Sequence, residues 1–122
     1  MSNEQPKNND PLNEKSFSFS LRIIKLFKYM QSSHKEYILS KQILRSGTAI
    51  GALIREAKYA QSKADFLNKL MIALKEANET KYWLELLYQS NYIDQKMYKS
   101  IEPDINTLLK LLVASTKTVK QG

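Results

Sequence analysis

The chain has 122 residues, 43% apolar and 25% charged, a mix that supports one domain with a modest buried core. It contains no cysteine, which excludes disulfides, thiolate metal sites and cysteine catalysis, and no apolar run approaches the roughly 18 residues a bilayer span needs. Nineteen lysines and arginines against twelve acids leave a net charge of +7, which favours phosphate-bearing or anionic-membrane partners; the lack of cysteine fits a reducing cytoplasm, and a cytoplasmic protein without a membrane partner is expected.

Residues 1–15 carry two prolines and little apolar content, so the pattern predicts a flexible tail. A first helix is predicted from near Ser16, with Phe17, Leu21, Ile24 and Phe27 at helical spacing as its seam and Ile23, Leu26 and Met30 widening it. Arg22, Lys25 and Lys28 lie three apart with no acid between them, and Gln31 to Glu36 reads as a turn. A second helix is predicted over about Lys35 to Ala60, with Leu39, Ile43, Ile50, Leu53 and Ala57 inward. Beside that seam runs a second stripe of small and charge-assisting residues: Gln42, Arg45, Ala49, Ala52 and Glu56. Gly47 and Gly51 share one side of this helix. Each costs about 1 kcal/mol relative to alanine in a helix interior, so close approach of another helix is the expected reason, with a break at Gly47 as the alternative.

Ser62 and Asp65 form the S-x-x-D capping pattern, which places the start of a third helix at about Lys63 and its end near Ser90. Phe66, Leu70, Ala73, Ala77, Thr80, Leu84 and Leu87 make its seam. Apolar character extends to Ile72, Trp83 and Leu86, a width that points to a central helix or a contact with another subunit. Asp94 is the predicted cap of a fourth helix bearing Met97, Ile101, Ile105, Leu108, Leu112 and Val113, with a kink or restart expected at Pro103. Four helices with short turns make an all-α, antiparallel up-down-up-down bundle the economical fold, over residues 16–118, with 119–122 frayed.

No residue reads as a catalytic centre. His34 is the lone histidine and falls in a predicted turn, and no spacing supplies metal ligands, so neither an enzyme nor a cofactor is expected. Glu76 and Glu79 lie three apart on one helical face. They could share a metal or do acid–base work, but salt bridging to Arg45, Arg55 or a lysine is the preferred reading. Tyr82 and Trp83 could stack on bases, yet aromatics at helical spacing more often anchor a core or an interface. Phosphate contacts fall to two basic groups: Arg22, Lys25 and Lys28, and Arg55, Lys58 and Lys63.

The run Gln42-Ile43-Leu44-Arg45-Ser46-Gly47-Thr48-Ala49-Ile50-Gly51 resembles the four-helix bundle family of 23S rRNA intervening sequence proteins. Arg55-Glu56-Ala57, Ser62-Lys63-Ala64-Asp65-Phe66, Ile72-Ala73-Leu74-Lys75-Glu76-Ala77, Glu79-Thr80 and Tyr82-Trp83-Leu84 are similar to the same family, and the likeness spans about Phe17 to Val113. Ala49 and Leu53 depart from it, standing where serine and asparagine are usual. The resemblance implies a ring-like homo-oligomer, with a homopentamer favoured, and no established enzymatic activity. Members are encoded within insertions in ribosomal RNA genes. A related accessory protein of diversity-generating retroelements binds nucleic acid and a reverse transcriptase. The expected function is therefore a basic, self-assembling module that binds nucleic acid, RNA ahead of DNA. The alternative is a scaffold that binds protein alone. Gln42, Arg45, Gly47, Gly51, Glu56, Glu76, Glu79, Tyr82 and Trp83 are its expected structural or interface residues.

Overall fold

The computed structural model describes residues 10–121. They form four helices and no strand: α1 (Pro11–His34), α2 (Leu39–Ala57), α3 (Lys63–Gln89) and α4 (Gln95–Gln121). Each helix packs on two neighbours in the cycle α1–α2–α3–α4, and the diagonal pairs are not in backbone contact. One core runs through the bundle, centred on Phe19, Ile23, Ile43, Ile50, Leu84 and Leu108.

α1 starts five residues earlier than the composition of the tail predicts. The Asp10 carboxylate accepts from the Asn13 backbone N–H at 3.1 Å, and Pro11 occupies the first helical position, where its missing donor is harmless. The rest of the predicted tail, 1–9, lies outside the described residues. The helix also runs into the predicted turn at Gln31 to Glu36, as far as His34. It closes only at Lys35, whose left-handed backbone (φ 54°) returns its N–H to Gln31 O. His34 is held edge-on between Tyr29 and Tyr92, each ring centroid 5.4 Å away, which fixes that last turn.

The Glu36 carboxylate then opens α2, about four residues later than predicted, by accepting from the N–H groups of Ile38, Leu39 and Ser40 at 2.8–3.1 Å. At α3, Ser62 Oγ accepts from Asp65 N at 3.0 Å, as the capping pattern requires, while Asp65 accepts from Gln61 N, one residue before the N-cap donor that a strict capping box uses. Asp94 caps α4 through Met97 N at 2.9 Å. α4 runs unbroken through Pro103, so the restart expected there is absent. Pro103 lies on the exposed face, where water can take the carbonyl its ring leaves unpaired. The C-terminal residues expected to fray are helical to Gln121, because Thr116 is buried and Val119 packs on the core.

The seam assigned to the first helix needs correction. Phe19, Ile23, Leu26 and Met30 are the buried row, whereas Phe17 and Leu21 are 53% and 52% exposed. Two apolar stripes exist on α1, and spacing alone could not say which one faces the core. α3 buries the predicted row from Leu70 onward, Leu70, Ala73, Ala77, Thr80, Leu84 and Leu87, while its first member, Phe66, is half-buried.

Candidate functional site

Two regions collect the residues singled out above. The first lies where α2 meets α3. Arg45 projects from the exposed edge of α2 and donates through Nη1 to Glu76 Oε1 at 3.1 Å and through Nη2 to Glu79 Oε2. The Trp83 indole N–H donates to the same Glu79 oxygen at 2.9 Å. The residues sit at i, i+3 and i+7 along α3, so they stand on one face and Arg45 can span the first two. The side chains are half-open rather than buried: 50% exposed for Arg45, 15% for Glu76 and 30% for Glu79. The indole and guanidinium donors together hold the Glu79 carboxyl below the usual carboxylate range. The Glu79 and Glu76 carboxylates raise the Arg45 guanidinium further above its ordinary value. One turn inward, Ser46 Oγ and Thr80 Oγ1 lie 2.9 Å apart in the fully buried layer, and Thr80 also donates to the Glu76 carbonyl at 2.8 Å.

This constellation fastens helices. Both carboxylates already face a fixed cation, and among the described residues no group of three or more acids and histidines is placed to hold a metal ion. Glu56 leaves the acidic pair alone and bonds Lys69 at 3.3 Å, while Gln42 is exposed. Lys69 thus reaches across to α2 rather than to Asp65 one turn back. Leu53 packs against the core in the place where the resemblance expects a polar side chain.

The two glycines face α1. A Cβ on Gly47 would stand 2.9 Å from Ile23 Cγ1, and one on Gly51 would stand 3.3 Å from Ser20 Oγ. Close approach of a neighbouring helix is therefore the reason for both, and that neighbour lies within the same chain. Past Gly51 the α1–α2 contact opens into an apolar groove of about 490 Å³ along the exposed Phe17–Leu21 stripe. The Arg55 guanidinium sits 5.7 Å above the Phe17 ring at its rim.

The second region is the basic surface. Of the six predicted phosphate contacts, three are engaged inside the chain. Arg22 binds Asp104 at 2.6 Å and Ser100, Lys58 binds Asp10 at 3.4 Å, and Arg55 covers Phe17. Lys25, Lys28 and Lys63 are exposed and outside every ion pair among the described residues; Lys25 and Lys28 are neighbours on α1, whereas Lys63 stands at the start of α3. Tyr82 is 55% exposed and meets Trp83 edge-on, whereas Trp83 packs on the core. The sequence reading passed over the exposed lysines of α4. Their signal is a spacing of eleven and seven residues, which is hard to see beside the apolar seam. It also missed Tyr98, whose ring stacks on Tyr88 at 4.4 Å. Burial and the neighbouring Glu102 carboxylate push its phenol up to about 12.

Against known proteins, the family model described as 23S rRNA-intervening sequence protein matches residues 11–114. A solved structure from Bacteroides thetaiotaomicron, a protein of unknown function from the S23 ribosomal protein family, is similar throughout. It is 55% identical, with a TM-score of 0.87, over 88% of this chain and 96% of that one. The comparison with curated proteins gives no match.

Proposed function

The chain belongs to the 23S rRNA-intervening sequence protein family, and from that premise we propose that it is a non-enzymatic, self-assembling module whose basic outer surface binds nucleic acid, RNA ahead of DNA. The observation that carries the proposal is unneutralised charge. Among the described residues, which hold all the chain's nineteen lysines and arginines but Lys7, four cations, Arg22, Arg45, Lys58 and Lys69, are in ion pairs. Such a surface attracts polyphosphate by releasing its condensed counterions. The family's association with ribosomal RNA genes favours RNA. A cytoplasmic location accords with that ligand. The non-enzymatic reading rests on Arg45, which occupies the two carboxylates best spaced for chemistry.

Assembly is part of the proposal. The protomer is an antiparallel up-down-up-down bundle. The descending order of the α1 contacts supports this, since Gly47 meets Ile23 and Gly51 meets Ser16 and Ser20. The exposed Phe17–Leu21 stripe supports closure of copies into a ring, a pentamer by family resemblance, which multiplies the charge presented to one ligand. The same stripe also fits the second reading, a scaffold that binds only protein. Fluorescence anisotropy of labelled RNA in rising KCl separates the two. Binding that weakens steeply with salt is expected, and a flat response or no binding at low salt refutes the nucleic-acid reading.

A further inference from the structure

Resting on that reading, we infer that the outward face of α4 is the surface on which the nucleic acid lies, with Lys99, Lys110 and Lys117 as its phosphate contacts. At 100° per residue the three lysines fall within about 20° of one another around the helix, and at 1.5 Å per residue they form a row about 27 Å long. All three are exposed, and none takes part in an ion pair or hydrogen bond with a described residue. Lys96 and Lys120 flank the row at either end, so α4 holds five lysines against two acids.

Of those two acids, Asp104 is neutralised by Arg22, while Glu102 accepts from the neutral Tyr98 hydroxyl at 3.2 Å and keeps its charge near the Lys99 end. Beyond Asp104 the chain has no acid at all to Gly122. The neighbouring acid on α3, Glu85, lies on the Tyr98 side, near the Lys99 end of the row. Small or short residues separate the lysines on this face, Pro103 and Ala114 among them, so an extended backbone can approach closely.

A membrane surface is the poorer match for this face. Helices that lie on lipid bury an apolar side there, and the apolar side of α4, Ile101, Ile105, Leu108 and Leu112, is already spent on the core. A polyphosphate chain asks only for charge in a row. The sequence grouping of Arg22, Lys25 and Lys28 lacks this property, because Arg22 turns inward to α4 and is neutralised there.

The test is a charge-removing triple variant, Lys99→Gln, Lys110→Gln and Lys117→Gln, measured against a control that removes the same charge elsewhere, Lys35→Gln, Lys41→Gln and Lys75→Gln. The probe is a short single-stranded RNA, followed by anisotropy over a range of KCl. The α4 variant is expected to bind roughly tenfold or more weakly at low salt. Its log–log salt slope should shrink by about 2, at about 0.7 per lost phosphate contact, while the control keeps the wild-type slope. Equal losses in both variants overturn the assignment to α4. An α4 variant that binds like wild type also overturns it and leaves the nucleic-acid reading standing. A wild-type protein that binds no RNA removes both. Tighter binding to phosphatidylserine–phosphatidylcholine vesicles than to RNA, lost in the α4 variant, reassigns the face to lipid and overturns the proposal.

Discussion

Gly47 offers the sharpest test of how the helices are held. Replacing it with alanine removes a backbone cost of about 1 kcal/mol, which alone predicts stabilisation. The new methyl, however, would stand 2.9, 3.0 and 3.3 Å from Cγ1, Cγ2 and Cδ1 of Ile23. Ile23 is fully buried, and its two branch carbons cannot both turn away. Overpacking of this kind costs about 1–3 kcal/mol, so Gly47→Ala should destabilise by about 1 kcal/mol net. Gly51→Ala meets only Ser20 Oγ at 3.3 Å and the Ser16 carbonyl at 3.4 Å, in a half-open position. A small shift of Ser20 relieves that contact, so this variant should be neutral or stabilised by up to about 1 kcal/mol. Urea unfolding at one fixed protomer concentration measures both, since assembly makes apparent stability depend on concentration. In an Ile23→Ala background the added methyl fills space rather than colliding, so Gly47→Ala should there become stabilising, a coupling visible in the double-mutant cycle. A Gly47→Ala protein as stable as Gly51→Ala, with no coupling to Ile23, would refute the close-packing account.

Three further outcomes are expected. Arg45→Ala should lower stability by only about 1 kcal/mol, because its side chain is 50% exposed and such pairs are screened. A loss above about 3 kcal/mol, the cost of breaking a buried pair, would contradict the half-open geometry. Glu36 and Glu79 both titrate below the ordinary value of 4.5. Burial raises Glu36, but the N–H donors of Leu39, Ser40 and Ile38 outweigh it, and at Glu79 the Trp83 and Arg45 donors prevail. Depressed carboxylates stabilise the fold fully above that ordinary value and lose the contribution as pH falls below it. Acid titration followed by circular dichroism should therefore show stability falling only below about pH 4.5, with a shallower fall in Glu36→Gln. Finally, Phe17→Ser with Leu21→Ser should leave the protomer folded, since both side chains are half exposed, but should reduce the assembled mass in analytical ultracentrifugation. An unchanged sedimentation profile would show that the stripe is not a subunit contact.

Much of the fold was legible because local signals and the apolar period agree. Ser62 with Asp65, and Asp94 alone, are side chains whose capping role follows from type and position, and the α3 seam repeats without interruption. The ends of α1 were harder. Asp10–Pro11 is a proper cap and first turn, but it sits in a stretch whose composition reads as tail. The close of α1 depends on Lys35 in a left-handed conformation and on His34 between two tyrosines, one of them from the α3–α4 turn, a contact no local pattern encodes. The two stripes of α1 defeated the period argument for a different reason. Phe17 and Leu21 are as apolar as Phe19 and Ile23, and only the position of α2 decides between them. At the candidate site, Arg45 with Glu76 and Glu79 could be paired from the apolar and small-residue surroundings. The availability of individual lysines could not, because it depends on which acids the fold has already used.

The most direct test of the central claim is the native mass of the full chain purified at low salt, with the absorbance of any nucleic acid that travels with it. The account predicts a homo-oligomer, pentameric by family resemblance, that retains RNA and releases it when salt is raised. A monomer, or an oligomer free of nucleic acid that does not take up added RNA at low salt, would contradict it.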